Sequence, residues 1–364
     1  MFKIKKQLLK LYASSVLGGL SLTGAWVAIL ASRGFSLVEI GIAEMVLHIT
    51  SLIFEIPSGV FADVFGRKKM LIVSTIMRMI GNIIMIFSND FSMICLAMVF
   101  TSLFYTFLSG SEEALAYDSL KIARMESEFE KYESNQLIIY RVSGGISTLC
   151  AGLALTIGYK AAYGTDLVIG VIQMMVIFSL QEVYAENQSN DKESSIGRKL
   201  LACFRESLAF LKEARKAMGL MLCNSFVGAV DTLLLFFLQA KLPEKGMSEW
   251  WLGLALLFIE MGGIVGSKLI LKLPKLHYKW IFAISTLLVL TGVLAEHSPM
   301  YWVMILGGFI AAIGDDALQV RTNVLLQNMF PSEQRATLTS VESFSFSIIM
   351  IVLSPLAGFV FTYW

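Results

Sequence analysis

Carboxylates set inside long apolar runs are the residues of this 364-residue chain best placed to do chemistry. Glu112 and Glu113 stand in SGSEEALAYDSL, Asp315 and Asp316 in AIGDDALQVRTN, Asp231 in another apolar run, and Glu260 in the next. A charge deep in a membrane helix costs about 2.5–3.5 kcal/mol, so each such acid must be paired, solvated by a cavity, or used to carry a proton or a cation. Arg141 lies at a depth matching Glu112 and Glu113, and an ion pair with one of them is expected. That pair is either a lock between two helices or a coupling device that opens when the carboxylate takes a proton. Adjacent acids face different directions on a helix, so Glu112 and Glu113 do not share one job. Glu44, His48 and Glu55, at i, i+4 and i+11, share roughly one helix face. His48 could titrate near neutral pH, although a lone histidine in such a helix is more often a hydrogen-bonded packing residue. Arg78 lies at a depth similar to Glu55, and a pair between them is expected. No nucleophile with its base, metal-ligand set or phosphate-binding loop occurs at useful spacing, so neither an enzyme, a metal nor a cofactor is expected. Cys95, Cys150, Cys203 and Cys223 are scattered, with no C-x-x-C pair, and read as small buried hydrophobes.

The elements that must hold these acids are membrane helices. The chain is 56% hydrophobic and 16% charged, with a mean hydropathy of +0.70, far too apolar for one soluble core. Apolar runs fall at 8–31, 38–62, 69–88, 91–118, 134–158, 163–181, 218–240, 249–271, 278–296, 299–321 and 336–361, each near the length of a spanning helix. The first run follows a basic stretch, as in a signal peptide, but is longer than a signal core and is read as a retained span. The organisation is therefore all-α and polytopic, with an amino-terminal bundle at 1–181, a cytoplasmic linker at 182–217 and a carboxy-terminal bundle at 218–364. Within the linker, Leu200, Phe204, Leu208 and Leu211 recur at helical spacing among bases, which predicts an amphipathic helix on the inner membrane face. An amino-terminus inside places most lysines and arginines in the cytoplasm, as the positive-inside bias requires. The formal charge of +1 gives no reason to expect nucleic acid. The acid pairs of the fourth and tenth spans sit at equivalent places in the two halves, which suggests an internal repeat.

Between the second and third runs the chain reads GVFADVFGRKK, Gly59 to Lys69, with one acid, two glycines and three consecutive bases. A basic cytoplasmic loop would account for the bases alone, but not for Gly59, Asp63, Gly66, Arg67 and Lys68 at their spacing. The stretch resembles the signature of the major facilitator superfamily, G-x-x-x-D-x-x-G-[RK]-[RK]. FEIPSG and SGSEEALAYDSL further resemble one group of bacterial, drug-exporter-like members. The resemblance implies two six-helix bundles that alternate access to a central cavity lined by the first, fourth, seventh and tenth helices. It implies too that Asp63 meets the start of the eleventh helix near Thr337 to Ser340, while Arg67 pairs with Asp118 to form a breakable gate. Only six plus five spans are found, and the twelfth helix is expected to be missing. The arginine that many proton-coupled members carry in the fourth helix is absent, as is the G-P dipeptide of drug/proton antiporters in the fifth.

These features together point to a secondary active transporter in the plasma membrane, the inner membrane of a bacterium, acting as a monomer. Export of small hydrophobic or cationic compounds driven by the proton gradient is the leading expectation, because a cavity with several acids and few bases suits protons and cations. Nutrient symport is one alternative; a non-transporting scaffold or receptor on the same fold is another. The coupling or substrate candidates are Glu112, Glu113, Arg141, Asp231, Asp315 and Asp316, followed by Glu44, His48, Glu55 and Glu260.

Overall fold

The computed structural model describes residues 4–183, 215–329 and 335–363; the expected amphipathic linker helix lies outside them. Helices are the only long regular elements among the described residues, with no strand among them. Nine helices among them are long and apolar enough to cross a membrane, or ten if one bent pair counts as a single span. In chain order the helices are α1 (Ile4–Gly19), α2 (Trp26–Ser32), α3 (Leu37–Phe65), α4 (Arg67–Phe87), α5 (Phe91–Leu108), α6 (Ser111–Ile122), α7 (Phe129–Leu149), α8 (Ala151–Ile157) and α9 (Tyr159–Phe178). After the linker come α10 (Arg215–Glu244), α11 (Glu249–Leu271), α12 (Tyr278–Glu296), α13 (Tyr301–Met329) and α14 (Arg335–Tyr363).

Two runs expected as continuous helices are interrupted. The first is broken at residues 20–25 into α1 and α2, and the fifth bends by 44° between α7 and α8. The fourth combines α5 and α6 in one span, joined through Gly110 at φ 71, a left-handed conformation that costs glycine little.

The helices form two compact units. Unit 1 comprises, among the described residues, 4–24, 49–147 and 157–183; unit 2 comprises 25–48, 148–156, 215–329 and 335–363. In unit 1, α4 packs against α5, α6 and α9, and α1 packs against α6 and α9. Its core gathers Leu11, Leu71, Leu115, Tyr132 and Ile177, all fully buried or nearly so. In unit 2, α13 is the central strut, flanked by α10, α11 and α12, while α14 packs on α10. There is no water in a bilayer to drive apolar faces together, so close backbone approach through small residues has to supply the attraction. Accordingly, a Cβ at Gly262 would stand 2.2 Å from the Phe309 carbonyl oxygen, and one at Gly266 2.2 Å from that of Ile313.

The signature loop serves unit 1 locally. Gly66 adopts φ 103 between α3 and α4. Beside it the Glu182 carboxylate accepts hydrogen bonds from the Lys68 N–H (3.1 Å) and the Lys69 N–H (3.4 Å), satisfying free donors at the start of α4. The Lys68 ammonium in turn donates to the Phe178 carbonyl at the end of α9 (2.9 Å), where the helix dipole favours a cation.

Candidate functional site

Unit 2 brings Asp231 of α10 within electrostatic reach of both Asp315 and Asp316 of α13. The two neighbouring aspartates of α13 point to different helices. Asp315 lies against Gly228 of α10, where an added Cβ would come within 3.3 Å of its Oδ1. Asp316 lies against Gly263 of α11, where a Cβ would stand 2.0 Å from its Oδ2. Two glycines thus clear the space the carboxylates fill. All three acids are half-buried. No lysine, arginine or histidine among the described residues forms an ion pair with Asp231 or Asp315. A cluster of this kind holds negative charge that a proton or a cationic cargo can neutralise. Glu260 on α11 is exposed and takes a hydrogen bond from Thr148 (3.1 Å).

In unit 1, Glu112 is 9% exposed and accepts a 2.6 Å hydrogen bond from Ser15 on α1. Glu113 is exposed, so the adjacent acids do face different surroundings. The ion pair expected with Arg141 is not formed: Arg141 is exposed and pairs with neither glutamate. Equal depth along two helices left the rotation of each helix undetermined, and rotation decides the contact.

The pair expected between Glu55 and Arg78 is also not formed. Arg78 is buried and its guanidinium caps the end of α1, donating to the carbonyls of Leu17 (3.2 Å), Gly18 (3.2 Å) and Leu20 (2.8 Å). Glu55 is half-buried. Asp166 of α9, 1% exposed, completes the other side of the break. It accepts from the N–H groups of Leu22 (2.7 Å) and Thr23 (3.2 Å) and from the hydroxyls of Ser21 and Thr23 (2.6 Å each). Ser147 of α7 donates to the Gly19 carbonyl (3.1 Å) and accepts from the Ser21 N–H (2.9 Å), while Gln173 of α9 donates to the Ser14 carbonyl (3.2 Å). A cation on the freed carbonyls and an anion on the freed N–H groups replace the helical bonds that the break removes.

His48 behaves as a packing residue in unit 2. Its Nε2 lies 3.2 Å from Glu44 and its Nδ1 3.3 Å from the Ser347 hydroxyl, with the Phe346 ring edge-on at 5.7 Å. Among the signature residues, Gly59 is exposed with open space around it. Arg67 and Asp118 are half-buried, on helices that pack together, and both are engaged by neighbours. The Asp63 side chain and those of Thr337 to Ser340 lie outside the described residues.

Sequence reasoning passed over Asp166, Gln173, Ser147 and also Glu342 of α14, which accepts from Asn224 (3.3 Å) in unit 2. The criterion that selected the other acids, a charge inside an apolar run, also selects Asp166 and Glu342.

The family model of the Major Facilitator Superfamily matches residues 11–294, well over half of the chain. The chain belongs to the major facilitator superfamily. It is thus a multi-pass membrane transporter rather than an enzyme by family, one that moves a small-molecule substrate by secondary transport. The uncharacterized MFS-type transporter YxaM of Bacillus subtilis (strain 168) is 25% identical over 354 residues, covering 91% of this chain and 84% of that protein. Among solved structures, the nucleoside transporter NupG matches with a TM-score of 0.75 at 17% identity, over 98% of this chain and 92% of that one. A D-xylose-proton symporter matches with a TM-score of 0.68 at 11% identity, over 98% and 89% of the two chains. These likenesses carry the fold.

Proposed function

We propose that this facilitator exports small hydrophobic or cationic compounds in exchange for protons, with Asp231, Asp315 and Asp316 receiving the positive charge. The convergence of three carboxylates from two helices, two of them with no basic partner among the described residues, is the observation that carries this reading. Carboxylates held close together favour whatever brings positive charge, so proton and cationic cargo compete for one site. The family's alternating access then couples occupancy to which side is open. Asp63, Arg67 and Asp118 are proposed as the cytoplasmic gate. Glu112 is proposed as an accessory acid in unit 1, reached through Ser15. The proposed setting is a plasma membrane, with the amino-terminus in the cytoplasm and the protein a monomer.

Uptake of a neutral polar solute with protons is the second reading. It is favoured by the fold likeness to a nucleoside transporter and a D-xylose-proton symporter. Flux through proteoliposomes separates the two. A panel of cationic dyes, nucleosides and pentoses is offered with an imposed proton gradient, with and without a protonophore. Cation movement against the proton flow, lost in Asp231→Asn and Asp315→Asn, supports export. Nucleoside or pentose accumulation along the proton flow supports symport instead.

A further inference from the structure

The first turns of α1 and the start of α7 border a cavity of about 290 Å³ within unit 1. Lys5 and Lys131 stand at its mouth, and Glu128 lies 3.6 Å from Lys131. The three leave a net charge of +1, and Lys5 is exposed with no ion pair among the described residues. The deep end is closed by Tyr12 and Tyr132, stacked at 5.1 Å, with Asn135 donating to the Tyr12 hydroxyl (3.1 Å). Along the α1 side runs Leu8 and then Leu9, which is 67% exposed. From Ile4 to Tyr12 the groove extends about 12 Å along α1, at the start of the first apolar run.

We propose that this cavity is a binding site for an anionic phospholipid, its phosphodiester between Lys5 and Lys131 and one acyl chain lying against Leu9. The net charge of the mouth matches the single negative charge of a phosphodiester head. The volume is at the low end for ligand pockets, so it takes the glycerophosphate portion and leaves the chains in the bilayer. The groove runs along the helix, as an acyl chain runs along the membrane normal, and the exposed Leu9 offers an apolar wall where a soluble ligand would gain nothing. A basic cleft between helices near the membrane surface suits an anionic headgroup over a zwitterionic one, whose ammonium would face the lysines. The site does not depend on the exporter reading, because flux and lipid retention are read separately.

The test is native mass spectrometry of the purified full chain titrated with phosphatidylglycerol or phosphatidylcholine of identical acyl chains. Preferential retention of phosphatidylglycerol is expected, with each lysine contributing roughly fivefold. Lys5→Gln combined with Lys131→Gln should therefore lose roughly twenty-five-fold in affinity. The exposed pair Lys272→Gln and Lys275→Gln in unit 2 should leave it unchanged. Leu9→Asn, at an exposed position, should weaken both lipids alike. Equal retention of the two lipids overturns the proposal, as does full retention by the double lysine variant. Displacement by free glycerophosphate as effective as that by the lipid also overturns it, since it would mark a site for a soluble organophosphate.

Discussion

Asp166 in unit 1 and Asp315 in unit 2 are the same residue type, each set in an apolar span, and their surroundings differ in one respect. Asp166 receives four hydrogen bonds from three consecutive residues of the break in the first span, and the charge of buried Arg78 acts on the same site. Asp315 faces a glycine, another aspartate beside it in sequence and a third across the interhelical space. A buried carboxylate with every acceptor filled holds structure. One with like charges for neighbours is a cost to the fold, which fits the transport role proposed for it.

The largest effect expected from this contrast is at Asp166. Asp166→Ala leaves the Leu22 N–H without its acceptor, the Thr23 N–H with only the Ser21 hydroxyl (3.1 Å), and Arg78 without its countercharge. A loss of about 3–5 kcal/mol is expected, seen as a collapse of monodisperse yield and thermal midpoint in detergent. Neutralising the unit 2 cluster should do the reverse. Asp231→Asn or Asp315→Asn should abolish proton-coupled flux while relieving like-charge repulsion, with a gain of roughly 1 kcal/mol. An Asp166→Ala protein that stays folded and transports normally would erase the distinction.

Gly263→Ala comes next. Its Cβ would stand 2.0 Å from the Asp316 Oδ2, so the carboxylate has to move, and flux should fall roughly tenfold or more. Gly228→Ala, at 3.3 Å from Asp315, should cost less in the same assay.

Smaller still is Glu112→Gln. The amide keeps an acceptor for the Ser15 hydroxyl, so the thermal midpoint should change by less than about 0.5 kcal/mol equivalent. Coupling should change only if Glu112 exchanges the transported proton, which a shift in protonophore sensitivity would reveal.

The smallest expected effect lies at the start of α5, where Asp90 accepts hydrogen bonds from the Met93 N–H (3.0 Å) and the Ser92 hydroxyl (2.5 Å). These hydrogen bonds hold the Asp90 carboxyl below its ordinary value. A depressed value means the cap's contribution is fully present above the unfolded-state value near about 3.9 and is lost as pH falls through the folded one. Asp90→Ala should therefore lower the thermal midpoint slightly at neutral pH, and the difference from the unmodified chain should shrink in acid.

Hydropathy located nine or ten of the eleven expected spans among the described residues, because a helix in a bilayer must be apolar over a fixed length regardless of its neighbours; the first run, broken into α1 and α2, is not among them. The break at residues 20–25 was hidden because its cause is not local. Ser21 and Thr23 lie in an apolar run, and the groups that satisfy the open backbone come from α4, α7 and α9. The unit 2 cluster was legible in part, since Asp231, Asp315 and Asp316 stood out as acids in apolar runs. That Gly228 and Gly263 face them was not, because small residues are common in membrane helices and each fits many partners. The two mistaken pairs, Glu112 or Glu113 with Arg141 and Glu55 with Arg78, share one cause: sequence gives depth along a helix but not which neighbour its face meets. Arg78 found better partners in three backbone carbonyls than in a carboxylate.

The decisive measurement is the thermal midpoint of Asp315→Asn against the unmodified chain in the same detergent. A midpoint unchanged or raised is the predicted result, since the carboxylate is held among like charges. A fall comparable to that of Asp166→Ala would mean that Asp315 holds the fold together, and the cluster would lose its claim to be the transport site.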